Sequence, residues 1–281
     1  MKIAFIVLTY NRSDALLAVL RELAPQLGAG HELLIADDGS RPEHVKAMHD
    51  GLPAFGCRVR HVWHPDVGFT AARARNLCAA RAEADYLVFM DGDCVPVPHF
   101  VEQHRQLARR HQYVIGGRVL LSERFTQRVL RGEVVLRRLG FSDWLRLRLR
   151  GDANKSTHLL DGIGPFSRVR GRFRWKGIRS CNFAVWKDDC VAVNGFDESF
   201  TGWGHEDADF ALRLHNHGTA RNDAVLGAQV FHLWHRENSR DNEIANRARV
   251  QARLESGIIR AAKGMAEALH APEVIETELN R

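Results

Sequence analysis

The first 111 residues alternate short apolar runs with amphipathic stretches, and this alternation constrains the fold more than any other feature of the chain. Runs at 3–8, 32–36, 58–63 and 86–90 read as strands, and 14–24 (stopped by Pro25), 43–51, 70–81 and 99–111 read as helices. That order implies an α/β architecture: a mostly parallel central sheet with helices on both faces. In such sheets ligands bind beyond the carboxyl ends of the strands. Three polar clusters fall there: Thr9-Tyr10-Asn11-Arg12, Asp37-Asp38-Gly39-Ser40 and Asp91-Gly92-Asp93. Any one of them suits an ordinary turn, because Asp and Asn beside Gly and Ser are common loop formers. Three at one edge of one sheet point to a binding site.

Asp91 and Asp93 follow Leu87-Val88-Phe89-Met90, a run that must be buried. Two carboxylates at i and i+2 on an extended turn can divide their work, one on sugar hydroxyls and one on a hard divalent cation that wants oxygen ligands. The first strand is followed by neither a Gly-x-Gly-x-x-Gly fingerprint nor a phosphate-binding Gly-x-x-x-x-Gly-Lys-Ser/Thr loop, which counts against a dinucleotide fold and a phosphate-loop NTPase. The third helix opens with small residues and two arginines. Arg75 has the reach for a phosphate or a carboxylate, while Arg73 reads as a solvated surface residue.

The second half is organised around Gly202-Trp203-Gly204-His205-Glu206-Asp207-Ala208-Asp209. Acids are common in a first helical turn because the macrodipole favours them, and that suffices for Asp209. It does not account for Gly-Trp-Gly, where glycines allow close backbone approach and an indole stands beside a carboxylate pair. This suggests an acceptor site with a general base. Arg179 to Trp186 reads as a strand returning to the core, with Asn182 facing either the site or the sheet. Among the fifteen histidines, His235 at the start of a polar loop is the simplest third metal ligand, and His232 is the alternative.

Between 124 and 150 eight arginines face only Glu133 and Asp143, interleaved with Leu, Val, Phe141 and Trp144. Such a stretch either lies on an anionic membrane surface or packs on the domain as a helical insertion with solvated arginines. The net charge, +6 from 40 basic and 34 acidic residues, fits attraction to an anionic surface or polyanion. No nucleic-acid-binding module accompanies it, so no nucleic acid partner is expected. Five cysteines with no C-x-x-C pair imply buried, reduced thiols in a cytoplasmic chain, and the apolar start reads as a strand rather than a signal peptide. Residues 242–270 read as one long amphipathic helix, packed on the domain or on a second copy in a homo-oligomer.

Together these residues resemble the family-2 glycosyltransferases of the GT-A fold. The clusters from Thr9 to Asp93 look like a nucleotide-sugar half (1–120). Asn182-Phe183 and the Gly202–Asp209 stretch look like the acceptor half (178–240) shared with galactosyltransferase-type enzymes. The resemblance implies one domain over 1–240, interrupted by a basic insertion at 120–178 and followed by a helical tail at 241–281. It implies that Thr9, Tyr10, Asn11, Arg12, Asp38, Arg75 and Asp91 hold the nucleotide-sugar. Asp93 and His235 (or His232) would hold Mn²⁺ or Mg²⁺, Trp203, Asn182 and Glu206 the acceptor, and Asp207 would be the base. The activity implied is inverting transfer from a UDP-sugar to a glycan or glycolipid, in the cytoplasm or peripherally at the inner membrane face. Two other readings remain open at this point: a sugar-phosphate nucleotidyltransferase, and a non-catalytic carbohydrate- or membrane-binding protein.

Overall fold

The computed structural model describes residues 1–279 other than 164, 203 and 237–241. The expected alternation is present: β1 (Ile3–Thr9), α1 (Ser13–Leu23), β2 (His31–Asp37), α2 (Pro42–Gly51), β3 (Arg58–Trp63), α3 (Ala71–Arg81) and β4 (Tyr86–Asp91). β5 (Cys94–Pro96), α4 (Phe100–Leu107), β6 (Gln112–Ile115) and β7 (Gly117–Leu120) follow, then α5 (Glu123–Leu130), α6 (Phe141–Leu149) and β8 (Phe166–Arg170). The last part holds β9 (Asn182–Trp186), α7 (Lys187–Ala192), α8 (Glu206–Asn216), β10 (Ala220–Leu226), β11 (Gln229–His232), α9 (Glu243–Ser256), α10 (Met265–Ala268) and β12 (Ile275–Glu278).

The main sheet has the order β12-β3-β2-β1-β4-β9-β6-β10-β8, and β5-β11-β7 form a smaller one. β3, β2, β1 and β4 run parallel, while β9 is antiparallel to both β4 and β6. β1 shows why the pattern is continuous rather than alternating. Phe5 and Val7 enter the core under α1 and α4, whereas Ala4 and Ile6 enter the one under α3 and α8. A strand covered on both faces has no polar side to show.

Register fixes the functional edge. Thr9 lies beside Asp37 and Leu8 beside Asp91, so the three polar clusters end at one level. α8 is aimed at the same edge from the other half of the chain. The turn before it uses left-handed backbone at Gly202 (φ 73°), Gly204 (φ 103°) and His205 (φ 72°). α9 clamps that turn: Asn246 Nδ2 donates to the carbonyls of Thr201 and Gly204. A Cβ at Gly202 would lie 2.4 Å from Asn242 Nδ2, so glycine is required there for both backbone and space. Asp209 is fully buried and paired with Arg213 and Arg253, a structural role.

Three expectations need correction. The helix expected at 99–111 ends at Leu107, because Tyr113, Val114 and Ile115 are taken into the sheet as β6 beside β9. The basic insertion is not purely helical. Its β8 covers the outer edge of β10, with Arg170 paired to Asp223. Its helices also pack inward: Trp144 is buried and stacks on Phe231 at 4.5 Å, with Phe125 and Leu147 in the same core. The tail is not one helix. α9 packs Val250 against Ala208 and Leu212 of α8, then stops at Gly257 in left-handed backbone. Farther on, β12 pairs with β3, so the described part of the tail, residues 242–279, packs on the sheet and α8 rather than forming a helical appendage. Arg73 lies at the surface as expected, paired there with Glu273. No helix among the described residues is long and apolar enough to cross a membrane.

Candidate active site

The expected nucleotide end is a set of loops stitched to one another. Asn11, in left-handed backbone (φ 49°), donates its N–H to Ser40 Oγ and accepts the Arg41 N–H at 2.8 Å. Thr9 is buried, and its carbonyl accepts the Asp38 N–H. Tyr10 is exposed and donates its hydroxyl to Asp66, whereas Arg12 turns away onto Asp14. Asp38 is buried and accepts from the Thr70 N–H at 2.9 Å, from the Thr70 hydroxyl, and lies 3.1 Å from His64 Nε2. Its carboxylate therefore ties the end of β2 to the start of α3. Thr70 and His64 belong to this constellation and carried no signal in the sequence.

Arg75 joins the two halves of the chain. Its guanidinium is buried and donates to Asp91 Oδ1 at 2.8 Å and to Glu206 Oε1 at 3.2 Å. Of the two partners open to it, phosphate or carboxylate, it takes two carboxylates. This pairing repays the cost of burying the guanidinium and fixes the Asp91 turn against the N-terminus of α8.

Asp93 faces β11. The pairing of β5 with β11 puts His232 beside Cys94, and ligand atoms of Asp93, Cys94 and His232 lie within 4.8 Å of one another. His232 Nε2 is 3.8 Å and His235 Nε2 3.3 Å from the Asp93 carboxylate. His235 Nδ1 lies 2.9 Å from the Arg236 carbonyl, which can only accept, so Nδ1 carries the proton. Nε2 of a neutral ring then presents a lone pair toward Asp93, the tautomer a metal ligand needs. One carboxylate and two imidazoles suit a divalent cation.

The Glu-Asp pair opens α8. Asp207 accepts from the backbone N–H of Ala208 at 2.7 Å and from that of Ser180. Burial, and next the charge of Glu206, push its carboxyl up to about 7, against the pull of those N–H donors and Arg75. Trp203 lies outside the described residues. Among the described residues, Trp175 puts an aromatic ring near this helix start, with its centroid 5.3 Å from that of His205. Its only sequence signal was a single indole in an Arg- and Gly-rich loop.

Asn182 is not at the site. Its amide is buried, donates to the carbonyls of Gly117 and Ala228, and lies 3.1 Å from His104. An amide consumed in this way joins β9 to the strands around it and has no donor left for an acceptor sugar.

Comparison with known proteins agrees with this architecture. The family described as glycosyl transferase family 2 matches residues 4–172, and that described as the N-terminal domain of galactosyltransferase matches 165–236. Validoxylamine A glucosyltransferase of Streptomyces hygroscopicus subsp. jinggangensis is 29% identical over 240 residues, covering 77% of this chain and 52% of that protein. Chondroitin synthase of Escherichia coli is 26% identical over 253 residues, covering 82% of this chain and 34% of that one. The chain thus spans about half the length of these curated relatives, or less. Among solved structures, S. aureus TarS 1–349 in complex with UDP superposes with a TM-score of 0.56 at 15% identity, covering 95% of this chain and 68% of that one. A mannosyltransferase from Pyrobaculum calidifontis in complex with GDP-Man and Mn²⁺ gives 0.54 at 14%, covering 97% and 70%. These structures share the fold.

Proposed function

The chain belongs to glycosyl transferase family 2, and from that premise we propose that it is an inverting glycosyltransferase moving a sugar from a UDP-sugar to a hydroxyl of a glycan or glycolipid. The observation that carries this reading is the Arg75 bridge, which holds Asp91 of the nucleotide half and Glu206 of the acceptor half within one hydrogen-bonded group. A donor turn and an acceptor helix coupled through one guanidinium suit a reaction between two bound sugars.

In this reading Asp91 and the loops at Thr9, Tyr10, Asn11 and Asp38 hold the nucleoside. Asp93, with His235 and His232, would hold Mn²⁺ or Mg²⁺, and the bound cation would supply positive charge for the diphosphate leaving group. The acceptor oxygen attacks the anomeric carbon from the face opposite UDP, the bond from that carbon to the UDP oxygen breaks, and the hydroxyl proton passes to Asp207. Glu206 accepts from a neighbouring acceptor hydroxyl, and Trp175, whose ring lies near His205, is the aromatic candidate at that helix start. The raised Asp207 carboxyl supports the base role, because a group titrating near 7 is a stronger base than an ordinary carboxylate and still ionises at neutral pH.

The test is thermal stability with UDP, GDP, ADP and CMP, each with and without Mn²⁺. A ligand that binds only the native state raises Tm. The expected result is a metal-dependent shift with UDP; a shift with GDP alone replaces the donor, and no shift with any nucleotide overturns the reading.

Peripheral attachment at the inner membrane face belongs to the same proposal. Its support is the outer side of α6, where Phe141, Leu145 and Leu149 are exposed beside Arg146, Arg148 and Arg150. Co-sedimentation with phosphatidylserine-containing vesicles, lost in a Phe141→Ser/Leu145→Ser/Leu149→Ser variant, is the expected result. Equal recovery with pure phosphatidylcholine vesicles contradicts it.

A further inference from the structure

Among the described residues, two arginines of the cleft have no carboxylate in an ion pair. Arg118 lies on β7, next to the strand that carries His232: its partner in that register is Val230, and His232 pairs with Leu120. Arg179 lies one residue before Ser180, whose backbone N–H holds Asp207. The two segments run side by side, because Gly116 N–H donates to the Asn182 carbonyl at 2.9 Å and the Asn182 amide donates to the Gly117 carbonyl at 3.1 Å. Both side chains are half-buried.

Three other arginines of this region are committed. Arg75 holds Asp91 and Glu206, Arg221 holds Asp223 and the carbonyls of Arg174 and Lys176, and Arg253 holds Asp197 and Asp209. Among the described residues no ion pair or side-chain hydrogen bond engages Arg118 or Arg179. Burial, and next the charge of Arg118, depress the Arg179 pKa, against the opposing pull of Cys181 and Asp207. The pair therefore stands between the strand that carries His232 and the backbone group that holds Asp207.

We propose that Arg118 and Arg179 form a receptor for an anionic group, a carboxylate or phosphate, on the acceptor sugar whose hydroxyl faces Asp207. The proposal rests on the acceptor reading of that helix start and narrows it to acidic acceptors. Placement favours acceptor over donor: Arg179 adjoins the backbone group that fixes the base, whereas the donor diphosphate has the cation site at Asp93. Guanidinium forks match carboxylate and phosphate geometry, and a half-dry site strengthens the contact. The same loop carries exposed Arg168, Arg172 and Arg174 outward, so a polyanionic chain would meet positive charge beyond its terminal sugar.

The test uses twins that differ only in charge: 4-nitrophenyl β-D-glucuronide against the β-D-glucoside, and glucose 6-phosphate against glucose. Each is titrated by ligand-observed NMR into protein saturated with UDP and Mn²⁺. The expected result is that at least one charged member binds about 10-fold or more tighter than its twin, the scale of a charge-assisted hydrogen bond. Which pair discriminates tells carboxylate from phosphate. Arg179→Gln and Arg118→Gln should each reduce the preference, and Arg179→Lys should restore part of it, with UDP affinity unchanged and Tm confirming a folded chain. Equal or undetectable binding of charged and neutral twins overturns the proposal. Parallel loss of UDP affinity in Arg179→Gln also overturns it, by assigning the guanidinium to the donor. An Asp207→Asn variant separates this from the base reading. If that variant still transfers sugar the base assignment fails, while the charge preference is read independently from binding.

Discussion

At the scale of single residues, Asp207 and Arg75 carry the sharpest predictions. Asp207 is expected to set the alkaline-rising limb of the pH–rate profile, with transfer increasing as pH passes through about 7 and the carboxylate forms. Asp207→Asn should cut transfer about 10²–10⁴-fold, the usual share of a general base, with UDP affinity kept. Equal loss of both would remove its catalytic role. The same residue has a stability signature. Its folded pKa lies above the unfolded value of about 3.9, so its contribution is present below about pH 4 and is lost as pH rises through about 7. At pH 8 the Asn variant should therefore melt above the parent, by about 2–4 °C for each kcal/mol of relief. Arg75→Ala acts in the opposite direction. It leaves Asp91 and Glu206 without their buried partner, which should cost about 3–5 kcal/mol in urea denaturation as well as activity. A variant of unchanged stability would show that the bridge is not formed. Asp207 and Arg75 were both legible as sequence candidates, but the bridge was not: Arg75 and Glu206 are 131 positions apart, and spacing cannot reveal such a contact.

Among the elements, β9 separates structural from functional asparagine. Asn182 sits where the family resemblance implies an acceptor ligand, yet its amide spans Gly117, Ala228 and His104. Asn182→Ala should cost about 2–3 kcal/mol by stranding buried carbonyls, while UDP affinity in the folded fraction stays unchanged. A change in acceptor KM at full stability would return it to the site. α8 and α9 work as a pair, because α9 fixes the Gly202–Gly204 turn that aims the Glu-Asp pair. The periodicity of residues 242–270 suggested a single helix because apolar residues recur at helical spacing throughout. It could not weigh Gly257, whose left-handed backbone releases the chain toward β3. α6 shows the same limit. Its arginines and apolar residues suit either a membrane or a core, and the fold uses both sides, Trp144 and Leu147 inward and Phe141, Leu145 and Leu149 outward.

For the whole molecule, the last strand closes the sheet. β12 pairs with β3 and sets Glu276 against Arg60 and Arg81, and Glu278 against Arg58. A chain ending at residue 271 should lose this edge and melt about 4–8 °C lower, a loss of about 2 kcal/mol, with increased self-association through the bared β3. An unchanged melting temperature would show that β12 contributes nothing. The sequence by itself determined the layered α/β order, the sheet edge where the polar clusters gather, and the residue types proposed for metal and base. Those follow from local periodicity and from the rule that parallel strands present ligands at their carboxyl ends. Only the tertiary structure decided which polar side chains are free to act. It committed Asn182 and Asp209 to the interior, joined Arg75 to two acids, and left Arg118 and Arg179 without one among the described residues. The physical reason is that burial and pairing depend on contacts between residues far apart in the chain, and those contacts, rather than residue type, set which charges are compensated.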